Sequence, residues 1–309
     1  MSSLQYAIIG AGGIGGFYGG ILAKAGKKVD FLFRSDYEQV LENGLKIDSV
    51  LGNFHLHKIN AFSSTLDMNQ ADVVLVCLKT THNYLLKKLL PPLLKKDTLV
   101  ILIQNGLSLE EELRKDFPTL NLAGGLAFIC SQKLGTGHIS HLDYGKLNLA
   151  SFNPEAEEIL KKVVLDFLET KIQAEILPDL ESARWKKLVW NIPYNGSTVV
   201  LNTTTQEIMN NPDSENLVKQ LMEEVVKAAN ACGIKYPIEE SFITEMLEMT
   251  KEMSPYSPSM KLDYDNNRPM EIEYIYSRPI QKALQFGFEM KKVSVLENQL
   301  KFLSHHKKR

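Results

Sequence analysis

Cysteine is scarce in this 309-residue chain: Cys77, Cys130 and Cys232 are odd in number, far apart and in no C-x-x-C arrangement. That excludes a disulfide framework and a cysteine-built zinc site, and it fits a reduced, cytoplasmic setting. Net charge is nearly absent too. Thirty-five Lys and Arg face 37 Asp and Glu, a balance of −2, so no global field draws the chain to nucleic acid or to an anionic membrane. No stretch approaches the roughly 18 uninterrupted apolar residues of a membrane span. The N-terminus lacks the basic leader of a signal peptide, and its apolar run is broken by glycines. There is no internal repeat and no low-complexity segment; the closing His305-His306-Lys307-Lys308-Arg309 reads as a solvated tail. What remains is ordinary globular composition, 44% hydrophobic and 23% charged, in a chain long enough for two domains.

The first feature present is an apolar strand running into a glycine turn, Ala7-Ile8-Ile9-Gly10-Ala11-Gly12-Gly13-Ile14-Gly15. Gly10, Gly12 and Gly15 carry the G-x-G-x-x-G spacing, which lets a strand turn sharply into a helix and brings backbone N–H groups against a pyrophosphate. The spacing alone is weak evidence, and its context strengthens it. A helix can follow to a glycine C-cap at Gly26, and Lys28–Phe33 reads as the next strand. At that strand's end stands Arg34, suited to a ribose 2′-phosphate, where an acidic residue would select NAD. The site therefore points to NADP, unless Arg34 merely caps a solvated loop.

Helix 35–43 and a small β excursion over 45–59 follow, with His55 and His57 on one face of a surface strand and no third metal ligand in view. Two nearly continuous apolar runs, 71–78 and 98–103, read as parallel strands buried on both faces. Lys79 follows the first, where it either touches the cofactor or is simply solvated. Gln104-Asn105-Gly106 follows the second, either a plain turn or an amide aimed at a ligand. Cys77 reads as inert core. From about 122 to 151 the pattern is β with glycine turns, and strand alternation puts His138 and His141 on opposite faces. A helix over 155–170 and a last strand over 171–176 lead to a break at Pro178-Asp179. Beyond it the pattern is helical, over 217–231, 238–253, 269–286 and 293–303. The expectation is an α/β chain: a Rossmann-type dinucleotide-binding domain over 1–178, then an all-helical domain over 179–309.

One helical stretch asks for more than packing. Lys187, Asn191 and Asn195 stand at i, i+4 and i+8, on one side of a helix with about 40° of drift per step, flanked by Trp185 and Trp190. A cation and two amides beside bulky apolar groups suit a cleft wall better than a solvent face, although a solvated stripe has the same spacing. Pro193 is expected to kink this helix. Further on, Pro269 is expected at the first position of a helix, leaving Glu271 in its first turn, where the helix dipole keeps a carboxylate ionised.

Together these features resemble the ketopantoate reductase (2-dehydropantoate 2-reductase) family, within the 6-phosphogluconate-dehydrogenase-like superfamily. The matching residues are Gly10, Gly12 and Gly15, Arg34, Leu78-Lys79, Gln104-Asn105-Gly106, the string K-L-x-x-N-x-x-x-N from Lys187 to Asn195, and S-M-x-x-D with R-x-x-E-I from Ser259 to Ile272. The resemblance implies Lys187 as catalytic acid and Glu271 as ligand of a substrate hydroxyl. It further implies that Asn105, Asn191, Asn195 and Ser259 line the substrate pocket. NADPH would be held by Gly10, Ala11, Gly12, Gly13, Ile14 and Gly15, by Arg34 and Lys79 at its phosphates, and by Asn105 and Glu271. The substrate implied is a small 2-oxo acid, in a chain that needs no metal and leaves a homodimer open. Two departures stand out: Tyr276-Ser277 replaces the family's usual Asn-Gly pair, and Met290-Lys291-Lys292 replaces a proline-containing segment before the last helix.

The chemistry expected follows from the residue types. Hydride arriving at a ketone builds negative charge on oxygen, which a positioned ammonium stabilises and protonates, at a value of about 10²–10⁴ in rate. Burial would bring that lysine's pKa toward working pH. The two domains are expected to close on the ligands. Two other readings remain: a reductase of a different 2-oxo acid on the same scaffold, and a non-catalytic NADP sensor.

Overall fold

The computed structural model describes residues 3–253 and 257–306, so Lys307–Arg309 of the expected tail lie outside the described residues. The chain divides into two compact units. The first takes the chain up to Gln104 together with Leu109–Leu180, and the second takes Asn105–Ser108 and everything from Glu181 onward.

In the first unit the strands are β1 (Gln5–Ile9), β2 (Lys28–Leu32), β3 (Leu45–Ser49), β4 (Phe54–Leu56), β5 (Asn60–Phe62), β6 (Val73–Val76), β7 (Leu99–Leu102), β8 (Asn121–Gly135), β9 (His138–Ser151) and β10 (Ala174–Ile176). They join in one sheet ordered β4-β3-β9-β8-β7-β6-β1-β2-β5, with β10 on β9. The run β5-β2-β1-β6-β7-β8 is parallel throughout. Counted along the chain, it is the 3-2-1-4-5-6 order of a dinucleotide-binding sheet, whose direction of winding reverses between β1 and β6. β6 (VVLV) and β7 (LVIL) are buried at every residue, as strands covered on both faces must be. β8 and β9 form a long antiparallel ribbon, and β3 joins the far side of it, pairing Lys46 with His138.

The histidines fall where alternation puts them. His55 and His57 share a face with ring centroids 4.0 Å apart. His138 Nε2 meets Asp48 Oδ2 at 2.6 Å, while His141 is buried against Phe17 and bonded to Ser49 Oγ through Nδ1. The helices of this unit are α1 (Gly13–Lys24), α2 (Tyr37–Asn43), α3 (Leu86–Leu89), α4 (Leu109–Asp116) and α5 (Glu157–Glu169).

The second unit holds α6 (Leu180–Val200), α7 (Thr205–Met209), α8 (Pro212–Ala231), α9 (Ser241–Glu252), α10 (Ser259–Asp265), a π-helical turn (Glu273–Ser277), α11 (Arg278–Gln285) and α12 (Lys291–His306). Its core takes in the apolar side of α6, with Trp185, Leu188, Val189 and Ile192 in one buried cluster with Leu221, Met222 and Val225 of α8. α6 runs through Pro193 without a break. Among the described residues, no helix is long and apolar enough to cross a membrane.

One expectation fails. Pro269 does not start a helix: Arg268, Pro269, Met270 and Glu271 form a non-helical link, and helix begins at Ile272. Met270, Glu271 and Ile272 are all buried, at 7%, 5% and 8% exposure. Met270 and Glu271 are buried in the non-helical link, and the burial continues into the helix at Ile272 and Tyr274–Ser277. Glu271 is therefore the cap residue of that helix rather than part of its first turn, and its carbonyl accepts from Ile275 N–H at 3.3 Å.

Candidate active site

The glycine turn closes the switch point of the sheet. Gly10 has φ +94°, and a Cβ there would sit 2.8 Å from Leu78 N, because the carboxyl ends of β1 and β6 converge at this point. Gly15 is just as constrained: a Cβ would lie 2.3 Å from the Gly10 carbonyl, so only glycine lets α1 leave the strand this tightly. Gly12, by contrast, has nothing within 4 Å of its Cβ direction. No side chain caps α1, and no acidic residue stands in its first turn. The helix thus begins with backbone N–H groups and a positive dipole end beside an open glycine face, which is what a pyrophosphate requires. Gly13 is fixed from behind, its carbonyl accepting from Ser131 Oγ at 2.9 Å. α1 ends as expected at Gly26 (φ +79°), with Lys27 N–H reaching the Leu22 carbonyl.

Arg34 is exposed just past β2, and Asp36 two residues on is buried and paired with Lys133 at 2.5 Å. The local acid is thereby neutralised. Lys79 is half-buried where β6 ends, and Gln104 ties that end down, donating to the Leu78 carbonyl at 2.7 Å. Cys77 lies behind the turn, its thiol pushed far up by burial.

In the second unit, α6 carries Lys187, Asn191 and Asn195 in line. Lys187 is half-buried. Burial of the amine and the Arg184 guanidinium, three residues earlier, hold its ammonium down to about 7, while Glu271 pulls the other way. Asn191 is 6% exposed and its Nδ2 finds no hydrogen-bond partner among the described residues, an amide donor buried at a cost.

Asn195 explains how Ser259 arrives. α10 begins after Pro258 with no side-chain cap of its own, and the orphan Met260 N–H is satisfied across the fold by Asn195 Oδ1 at 3.1 Å. One residue away on the same turn is Ser259. The acid and base of the second motif then pair with each other: Arg268 Nε meets Asp263 Oδ1 at 3.0 Å and Arg268 N–H closes on the Asp263 carbonyl at 2.8 Å. That clasp aims the following link inward and buries Glu271.

Asn105 belongs with this unit, and the π-helical turn is the reason. In the i→i+5 pattern the partner of the Tyr274 carbonyl would be Pro279, which has no N–H. The freed carbonyl takes Leu107 N–H at 2.9 Å instead. Gly106 passes so close that a Cβ would sit 2.6 Å from Tyr274, at φ +115°. The structure thus brings Lys187, Asn191, Asn195, Ser259, Glu271 and Asn105 into one unit, and Gly10 to Gly15, Arg34 and Lys79 into the other. Arg184 and the Tyr274 carbonyl escaped the sequence argument. Arg184 had a signal, since i−3 shares a helix face with Lys187 just as i+4 does.

A family model described as ketopantoate reductase PanE/ApbA matches residues 6–154, and its C-terminal counterpart matches residues 179–304. The chain belongs to the ketopantoate reductase family. A 2-dehydropantoate 2-reductase of Nostoc sp. (strain PCC 7120) is 46% identical over 308 residues, covering 98% of this chain and 96% of that one. Among solved structures, the 2-dehydropantoate 2-reductase of Geobacter metallireducens GS-15 superposes with a TM-score of 0.93 at 36% identity, covering 96% of this chain and 99% of that one. The Methylococcus capsulatus protein of the same name gives 0.90 at 30% identity, covering 99% and 98%.

The two departures from the ketopantoate reductase pattern are absorbed by packing. Tyr276 is fully buried and its hydroxyl donates to the Ile192 carbonyl at 2.8 Å, in space left by Gly196, where a Cβ would lie 2.6 Å from that hydroxyl. Ser277 bonds Glu297 of α12, which also holds Lys301 at 2.7 Å. Without a proline to begin it, α12 is capped by α8: Glu224 accepts from Lys292 N–H at 3.1 Å and Val293 N–H at 2.7 Å.

Proposed function

We propose that this protein reduces 2-dehydropantoate (ketopantoate) to (R)-pantoate with NADPH, a step of pantothenate and coenzyme A synthesis. The observation that carries the reading is the α6 stripe, where an ammonium brought down to about 7 stands in line with a buried amide donor that has no partner among the described residues. The name and near-complete overlap of the Nostoc relative support the same substrate.

The glycine turn fits the cofactor because it offers uncapped helix N–H groups beside an open face. Gly10, Ala11, Gly12, Gly13, Ile14 and Gly15 would hold the pyrophosphate, with Arg34 and Lys79 at the phosphates and Asn105 and Glu271 as further contacts. NADPH supplies the hydride when bound. Lys187 stabilises the charge that grows on the ketone oxygen and gives it a proton, and a donor poised near neutral pH is efficient at that task. Asn191, Asn195, Ser259 and Asn105 donate to the substrate's oxygens, and Glu271 accepts from its hydroxyl. The alternative on the same chemistry is a different 2-oxo acid. A cytoplasmic location and a homodimer complete the proposal, the latter tested by light scattering on the purified chain.

The deciding experiment is NADPH oxidation with ketopantoate as sole acceptor, run beside NADH and a panel of bulkier 2-oxo acids. Turnover of ketopantoate with preference for NADPH is the expected result. Turnover only of a bulkier acid would replace the substrate, and binding of NADPH without any turnover would make the protein a sensor.

A further inference from the structure

Arg184 is 3% exposed and lies one helical turn before Lys187 on α6. Its Nη1 donates to the Gly106 carbonyl at 3.2 Å, and the next amide, Leu107 N–H, donates to the Tyr274 carbonyl at 2.9 Å. The carbonyl and the N–H of a single peptide group, Gly106–Leu107, in the Asn105–Ser108 loop are therefore held by two different helical segments. The loop needs such anchors, because its backbone passes through positive φ at Gly106 (115°) and again at Ser108 (63°), which no regular hydrogen-bond pattern sustains. The i, i+3 spacing also puts the guanidinium on the same side of α6 as the Lys187 amine. A guanidinium does not give up its proton in a protein, so of two neighbouring cations the lysine is the one that yields.

We propose that Arg184 is a positioning residue for the reduction: it docks the Asn105-bearing loop onto α6 and holds a permanent positive charge beside the Lys187 amine. The inference rests on Lys187 as the proton donor of the proposed function. The charged groups that act on Lys187 are Arg184 on its own helix, which lowers its proton affinity, and Glu271 at the cap of the helix that follows the link, which raises it. Arg184 thus sets how readily the acid gives up its proton and where the amide of Asn105 stands.

Two substitutions separate these tasks. Arg184→Gln keeps a donor for the Gly106 carbonyl and removes the charge; Arg184→Met removes both. Competitive acetylation of the full-length protein over a range of pH, read residue by residue by mass spectrometry, gives the Lys187 titration without any turnover. The midpoint is expected to rise by about one pH unit in both variants, and the basic limb of the kcat/KM profile is expected to move with it. KM for the 2-oxo acid is expected to rise up to about tenfold in Arg184→Met relative to Arg184→Gln, the value of one neutral hydrogen bond to the loop. An unmoved Lys187 midpoint in Arg184→Gln overturns the charge assignment, and equal KM values in the two variants overturn the docking assignment. A protein silent with ketopantoate whose labelled midpoint still shifts supports this inference and overturns the proposed substrate.

Discussion

Replacing Lys187 by methionine should make the protein more stable and far less active at neutral pH. The native state holds this ammonium at about 7 against an ordinary 10.5, so between those values the unfolded chain binds a proton that the folded chain has partly or wholly released. Stability therefore rises with pH across that window, and at pH 7 the folded protein carries nearly the full cost of the shift. At about 1.4 kcal/mol per unit, reduced for the amine's partial exposure, that cost is on the order of 2–4 kcal/mol. Methionine fills similar space with no charge to desolvate. Urea unfolding at pH 7 should show the variant more stable by that order, with an unchanged m-value, and the gap should close as pH approaches 10.5. Turnover should fall by about 10²–10⁴ through loss of the proton donor. A variant that is destabilised equally at pH 7 and pH 10, or that keeps its kcat, would refute the account of Lys187 given above.

Gly106→Ala should destabilise the second unit by at least about 2 kcal/mol and raise KM for the 2-oxo acid, because φ +115° and the Tyr274 backbone leave no place for a methyl group; a thermal melt and steady-state kinetics check both. Arg34→Gln should weaken NADPH binding about 10- to 100-fold, the worth of charge-assisted bonds to a phosphate, while leaving NADH binding unchanged in a fluorescence titration. Glu224→Ala should cost about 1–2 kcal/mol in urea unfolding with little change in kcat, since it uncaps two amides of α12 while leaving the α6 stripe intact.

Much of the site could be read in the chain because its signals are local. The G-x-G-x-x-G turn specifies a strand, a tight bend and a helix within a dozen residues, and the α6 stripe is a matter of helical periodicity, so neither needs knowledge of what packs around it. The apolar runs of β6 and β7 likewise announce strands covered on both faces. Pro269 misled for the opposite reason. A proline favours a helix start, but Arg268 is tied back to Asp263 and the chain stays non-helical until Ile272, and that tie comes from residues outside the segment.

What the sequence by itself determined was the set of elements and the chemistry each one carries, since backbone preference, periodicity and charge type are properties of short segments. Tertiary structure alone decided which of those groups share a surrounding. Asn195 brought Ser259 to α6 by capping a helix that begins 64 residues later in the chain, between Asn195 and Ser259. The missing N–H of Pro279 drew Leu107 to Tyr274, and burial beside Arg184 brought the Lys187 ammonium down to about 7. Each of these depends on a donor, an acceptor or a field supplied from elsewhere in the fold, and no segment read alone contains it.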